Sequence, residues 1–409
     1  MRQAIRCALF LLTAVAAFAQ KVGDVLPPWT EGTLDVHQIN TGKGNSSLLI
    51  LPDGTSVLVD AGWLGDERGR SGPRGTPQRP DATRNPGEWI ARYARHVLAA
   101  TGRPEPAIDY AMITHFHDDH MGGLNVRAKK AAGGYQMTGM TEVGELIPIR
   151  TMLDRGWPDY NFPTPLTSPM MENYRAFLKW QSEHRGMKVE RFQPGRNDQI
   201  VLKKSRAQYP EFEIRNVTGN AEVWTGVASN TRQQYPIDQL RDENICSNGF
   251  RLSYGKFDFG TFGDIPGIVQ DGAPLWGDME TPVARAVGPL EVVVLDHHGN
   301  RNSTNGFWLS SLRPQVFLIP VWSSDHPGHD VLARIYSTYF YPGPRDVFAT
   351  NMTQANKDVI GSLLDRLKSS QGHIVIRVDK GGATFRVLIL DDSAETFKIL
   401  AIHGPYKSS

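Results

Sequence analysis

Residues 108–123, Ile-Asp-Tyr-Ala-Met-Ile-Thr-His-Phe-His-Asp-Asp-His-Met-Gly-Gly, constrain this chain more than any other stretch. The apolar run 108–113 reads as a short buried strand. His115, His117, Asp118, Asp119 and His120 crowd into the positions directly after it, and Gly122 and Gly123 give the backbone room to turn. A strand ending in a tight loop projects His115 and His117 to one side. Asp119 and His120, further round the turn, point to the other. Neutral imidazoles beside carboxylates are the donors of zinc or a similar first-row ion. Two divergent pairs suit two adjacent ions better than one. The competing reading is a polar surface loop, but such a loop has no reason to place its histidines at this spacing on a strand end.

The flanking segments supply matching pieces. Residues 34–59 alternate apolar and polar around turns at 41–44 and 52–55, a β-meander. It ends in Leu58-Val59-Asp60-Ala61-Gly62, with an aspartate at the tip of a buried strand. Strand–turn–strand at 250–259 runs into Gly263-Asp264, and the apolar run 290–295 is followed by Asp296-His297-His298-Gly299. A further strand at 316–320 leads to Trp322-Ser323-Ser324-Asp325-His326-Pro327. The spacing predicts helices over 88–100, 174–184, 331–336 and 358–367, a helical segment from 123 to about 132, and a hairpin of strands 373–379 and 384–390. His329 reads as a helix-start residue. His37, His96, His184, His373 and His403 stand alone and read as structural or exposed.

The six-residue pattern from His115 to His120 resembles the signature of the metallo-β-lactamase superfamily, and the later strand ends resemble its other motifs. The resemblance implies an α/β fold, a four-layered αββα sandwich of two mixed β-sheets flanked by helices. It also implies two divalent metal ions, zinc first and manganese as the alternative. The implied ligands are His115, His117, Asp119, His120, the bridging Asp264, and His297, with His298 as the alternative to His297. Asp60 orients a ligand histidine from behind. Asp119 holds or deprotonates the attacking water, and His298 or His326 protonates the leaving group.

The segments 244–264 and 297–303, with His326-Pro327, resemble the hydrolase domain of the bacterial DNA-uptake channel, a periplasmic module that acts on nucleic-acid phosphodiesters. One departure from the wider superfamily stands out. Between His120 and Asp264 the only histidine is His184, on a predicted helix, so one metal position is weak, open or completed by water. That branch carries an Asn/Ser stretch there, as Asn244 and Ser247 do here.

Composition bounds the setting. Arg2 and Arg6, the apolar core 8–18 and Ala17-Phe18-Ala19 read as a signal peptide over residues 1–19, cut before Gln20. The expected location is secreted or periplasmic, with no membrane span after cleavage. Loss of the leader takes the formal net charge from +1 to −1. A near-neutral chain offers no basic footprint for tight nucleic-acid binding, so nucleic acid enters only as a substrate. Cys7 leaves with the leader and Cys246 has no partner, which excludes a disulfide framework and cysteine metal sites. Residues 20–409 then form one hydrolase domain, with an insertion at about 141–243 whose Trp157 and Tyr160 read more readily as local packing than as a pocket wall.

The expected function is a metal-dependent hydrolase in which metal-held water attacks an ester substrate, a phosphodiester before others. A carbonyl substrate such as a lactone or β-lactam is the rival, and a non-catalytic metal-binding envelope protein the third reading.

Overall fold

A side-chain period of two decides which way each strand faces. Along Ser47–Ile50 and Ser56–Val59, Leu48, Ile50 and Leu58 face a cluster shared with helices. Leu49, Val57 and Val59 face the opposite way, into a cluster that also holds Leu252, Phe259, Val292, Val294 and Leu318. Sheets that are apolar on both faces require cover on both faces, and the chain supplies it. The computed structural model describes residues 20–65, 75–269 and 274–409; the expected leader lies outside them. Among these residues no helix is long and apolar enough to cross a membrane.

The first sheet runs in the order Ile399–Lys407, Thr384–Leu390, His373–Val378, Leu34–Gln38, Ser47–Ile50, Ser56–Val59, Ile108–Met112, Ile149–Asp154, Lys188–Arg191. It is antiparallel up to Ser56–Val59 and parallel from there on. The second sheet runs Asp346–Ala349, Val316–Ile319, Val292–Val294, Phe257–Thr261, Gly249–Tyr254, Phe212–Gly219, Glu222–Trp224, Thr231–Gln233. Its first four strands are parallel and the rest antiparallel. Helices Pro86–Ala99, Met140–Leu146 and Pro169–Arg185 bury their apolar stripes on the outer face of the first sheet. Glu280–Val287, Gly306–Leu312 and His329–Tyr336 do the same on the second. The result is the expected four-layered αββα sandwich of two mixed β-sheets.

Local signals explain the helix ends. Pro86 opens the first helix, where its missing N–H costs nothing. Ser168 caps Pro169–Arg185 by accepting from Met171 N at 3.3 Å, and Gly186 ends it in a left-handed turn. Two expectations shift. The segment after Gly123 is not helical: Asn125 folds its side chain onto Arg127 N (3.0 Å), and Met137 N and Ala131 N pair back across the Gly133-Gly134 turn. The helix expected at 358–367 is Gln354–Ile360, capped by Thr353, and continues only as a 3₁₀ turn beyond Gly361. The stretch 141–243 gives two strands to the first sheet and three to the second.

That stretch is pinned from within. Asp154, fully buried, accepts from Tyr160 Oη (2.8 Å), Tyr174 Oη (2.9 Å), Gly156 N and Trp157 N. Four donors satisfy a carboxylate that would otherwise be costly to bury. Tyr160 and Trp157 therefore pack against the core rather than frame a pocket.

Candidate metal centre

Four strands deliver their carboxyl ends to one spot. Asp60 follows Ser56–Val59, His115 follows Ile108–Met112, Asp264 follows Phe257–Thr261, and His298 follows Val292–Val294. Loops must leave these ends, so side chains of unrelated sequence position converge there while the sandwich stays rigid. The backbone approaches closely enough to require glycine. A Cβ on Gly62 would stand 1.9 Å from the Asp119 carbonyl, and one on Gly44 would stand 2.4 Å from it.

Asp264 is the centre of the arrangement. Its Oδ2 lies 3.2 Å from His120 Nε2, 3.6 Å from His298 Nε2 and 3.8 Å from His115 Nε2. On one side His115 Nε2 and His117 Nδ1 face each other at 3.0 Å. On the other side Asp119 Oδ2 lies 3.3 Å from His298 Nε2 and 3.6 Å from His120 Nε2. Ligand atoms of Asp119, His120, Asp264 and His298 all fall within 4.8 Å of one another, and all four residues are buried.

The rear atoms of the imidazoles are occupied. His120 Nδ1 lies 2.7 Å from Asp60 Oδ2, and His298 Nδ1 lies 2.9 Å from the Pro320 carbonyl. His115 Nδ1 contacts Thr114 Oγ1 at 3.1 Å. A carboxylate or carbonyl behind an imidazole fixes the tautomer that turns a lone pair inward. Asp60 itself is held by Thr114 N (2.8 Å), Thr114 Oγ1 (2.9 Å) and Asn45 Nδ2 (3.0 Å). One carboxylate, one backbone carbonyl and one hydroxyl behind a set of nitrogen and oxygen donors fit divalent cations of the zinc or manganese kind. Trp322 Nε1 approaches His298 Nε2 at 3.3 Å and shares that lone pair.

Electrostatics of the cluster agree with a cation site. Burial favours the neutral form of His120, but Asp264, Asp60 and Asp119 outweigh it and hold its pKa well above the ordinary histidine value. Burial likewise opposes charge on Asp119 and Asp264. For Asp119, His120 and His298 prevail; for Asp264, His120 and His298 do; both carboxyls are held well below the usual range. Burial, with His120 next, pushes His115 well down.

The sequence placed His297 as the strand-end ligand with His298 as its alternative, and the geometry reverses that order. The strand stops at Val294, and the chain leaves it through two consecutive left-handed residues, His297 at φ 48° and His298 at φ 56°. Each such conformation costs about 1–3 kcal/mol and persists only where its surroundings enforce it. The double twist swings His298 into the cluster. His297 remains at the rim, its side chain 19% exposed, with Nδ1 on Asn302 Oδ1 (2.7 Å) and Nε2 3.9 Å from Asp264 Oδ2. His326 is buried and stacks on His298 at 4.7 Å between ring centres. Burial, then His298, pushes it down to about 3, so it is neutral at pH 7 and can offer an N–H but no charge.

Sequence reasoning missed Asn45, Glu243 and Asn248 as supports, and named Ser247 only within the Asn/Ser stretch. Asn45 donates its N–H to the Asp119 carbonyl (2.8 Å) and its amide to Asp60. Glu243 accepts from Phe116 N (2.8 Å), between the two histidines, and is held by Arg155 Nε (2.7 Å). Ser247 Oγ accepts from Asp264 N (3.0 Å), and Asn248 binds the carbonyls of Ile113 and Thr114. A polar residue following a turn glycine was the only signal for Asn45.

Residues 40–131 match the model of the metallo-β-lactamase superfamily. The match takes in Asn45, Asp60 and the whole run from His115 to His120. No curated protein matches the chain. Among solved structures the chain is similar to a CmlA beta-hydroxylase mutant, with 14% identity and a TM-score of 0.38 over 86% of this chain and 55% of that one. The chain therefore spans about half the length of that structure.

Proposed function

We propose that this protein is a secreted or periplasmic metal-dependent hydrolase whose substrate is a phosphodiester. The observation that supports the reading is Asp264 Oδ2 lying 3.2–3.8 Å from Nε2 of His115, His120 and His298, within a buried group that also holds Asp119, and with His117 against His115. His115 and His117 would hold one divalent cation, Asp119, His120 and His298 the other, and Asp264 both. When bound, such a pair supplies Lewis acidity at an ester oxygen and a water of lowered pKa.

The chain's own residues divide the remaining work. Asp119, kept ionised by its histidine neighbours, accepts a proton from the attacking water. Asp60 fixes His120, and Pro320 fixes His298, so neither ring turns its N–H into the site. With His298 inside the ligand group, proton delivery to the leaving oxygen falls to the rim, where His297 presents Nε2 and the neutral His326 stacks behind. Support for a phosphodiester over a carbonyl substrate comes from the likeness of 244–264 and 297–303 to the DNA-uptake hydrolase domain. Support for export comes from the leader-like residues 1–19.

The test is hydrolysis of bis-p-nitrophenyl phosphate by residues 20–409, after chelation and then with zinc or manganese restored. The expected result is turnover that returns with metal and vanishes in His117→Ala. Metal retention without phosphodiester turnover, together with cleavage of a lactone or nitrocefin, would overturn it.

A further inference from the structure

Basic side chains are not spread evenly over the molecule. At the amino ends of the adjacent parallel strands Ile108–Met112, Ile149–Asp154 and Lys188–Arg191 lies an open groove of about 810 Å³. Its lining carries six cations, Arg103, Arg150, Arg185, Lys188, Lys203 and Lys204, against two carboxylates, Glu105 and Asp109. The buried Asp109 ties two of them together: its Oδ1 accepts from Arg103 Nη1 at 2.9 Å and lies 3.8 Å from Arg150 Nε. Arg103 Nη2 also donates to the Gly54 carbonyl (3.2 Å), and a Cβ on Gly54 would stand 3.3 Å from Lys204 Nζ. Lys203 Nζ lies 4.5 Å from the centre of the Tyr110 ring, next along the strand from Asp109. Lys188 pairs with Thr151, the neighbour of Arg150. Arg185 closes the far end, with Nη2 on Glu145 Oε1 at 2.8 Å.

Arg150, Arg185, Lys188, Lys203 and Lys204 are exposed, so the charge faces solvent. The metal centre lies at the carboxyl ends of the same strands, roughly 17 Å away along a five-residue strand. The segments outside the described residues join the chain on that other side. Gly65 N binds Asp118 Oδ2 (2.9 Å), Gly75 pairs with Ser323, and Ile268 N binds the Asn302 carbonyl (2.8 Å). Residues 1–19 contain no carboxylate. A formal net charge of +1 over the whole chain thus averages over a local concentration of one sign, which is what attracts a polyanion.

We propose that this groove docks a nucleic-acid strand by its phosphate backbone, away from the metal centre. Cations set across three neighbouring strands on a concave floor suit a linear polyanion, with guanidiniums forking onto phosphate oxygens and ammoniums acting as point charges. A lipid surface is held differently, by exposed apolar anchors beside the basic ones. The apolar members of this lining are Pro104, Pro148 and the buried Ile149. The lining contains no aromatic ring on which bases could stack, so binding is electrostatic and indifferent to sequence. The docking stands apart from the phosphodiesterase reading, because groove and centre do not share one phosphate.

The experiment is fluorescence anisotropy of a labelled oligothymidylate about 15 nucleotides long, titrated with the metal-loaded protein over a range of salt. A phosphorothioate backbone keeps the charge and resists hydrolysis. Three proteins are compared: wild type, the double variant Arg150→Gln/Lys188→Gln, and the control Lys357→Gln/Lys398→Gln, which removes two exposed lysines elsewhere. Each lost phosphate contact lowers the slope of log affinity against log salt by about 0.7, so the groove variant should lose about 1.4. Its affinity at low salt should fall by about tenfold or more, and the control should stay within about twofold. Turnover of bis-p-nitrophenyl phosphate should be equal in all three, since the substituted residues lie outside the centre. No oligonucleotide binding by the wild type, or equal losses in groove variant and control, overturns the proposal. So does binding to phosphatidylglycerol vesicles that the groove variant loses while its oligonucleotide affinity is unchanged. Absence of phosphodiester turnover alongside weakened oligonucleotide binding in the groove variant defeats the phosphodiesterase reading and leaves the groove standing.

Discussion

Asp60→Asn is the substitution from which the most can be worked out. Asp60 has φ 61°, a left-handed conformation that asparagine adopts more readily than most residues, so the backbone should not object. The chemistry does. Asp60 Oδ1 accepts from Thr114 N, and an amide oxygen can continue to do so. Oδ2 accepts from His120 Nδ1, Asn45 Nδ2 and Thr114 Oγ1, and an amide NH₂ in that place meets donors instead. The relief available to His120 is to exchange tautomers, with Nδ1 accepting and the proton moving to Nε2. That nitrogen then points an N–H at Asp264 and can no longer ligate. Removing a buried support of a ligand histidine typically weakens metal affinity by about 10–100-fold. The unmatched donors cost about 1–3 kcal/mol of stability. Competition for metal against a chromophoric chelator reads the first effect and thermal unfolding of the metal-free protein the second. Folded Asp60→Asn with metal affinity within twofold of wild type would refute the account of how His120 is held.

Two further outcomes follow from the same geometry. In the metal-free protein His120 carries a proton because three carboxylates surround it, and cations require it neutral. Binding therefore releases that proton, and apparent affinity should fall by up to about tenfold per pH unit below the His120 pKa; proton release measured in weakly buffered solution checks the sign. Glu243→Ala should destabilise the fold by about 3–5 kcal/mol, because it strands the fully buried Arg155 side chain and orphans Phe116 N, whereas Glu243→Gln keeps an acceptor for Phe116 and should lose less in chemical denaturation.

The parts of the fold that the chain announces are those with a strict period. The strand alternation at 34–59 and 250–259 sorts residues between the inter-sheet core and the helix-covered faces, and His115–His120 lies at a strand end whose direction follows from that alternation. Where the chain departs from periodicity, the reading fails for physical reasons. His297 and His298 cannot be ranked by counting along a strand, because the strand ends one residue early and two left-handed residues rotate the chain. Residues 123–132 carry helix-compatible side chains, yet Asn125 and the Gly133-Gly134 turn offer the backbone closer partners. The polar residues of the core are equally illegible. Asp35 pairs with Arg377 through two bonds of 2.9 and 2.6 Å, and His37 bonds Tyr93 at 3.0 Å, partners separated by most of the chain or by a helix. His373, read as a lone histidine, accepts from Asn40 N at 3.0 Å. Such pairings arise only once the sheets have assembled.

Metal content tests the central claim most directly. Residues 20–409, loaded with zinc or manganese and freed of excess by gel filtration, would be assayed by elemental analysis beside Asp264→Ala. A centre joined through Asp264 predicts about two ions per chain in the wild type and about one or fewer in the variant. A wild type that retains no stoichiometric metal, or a variant that still holds two ions with unchanged affinity, would contradict it.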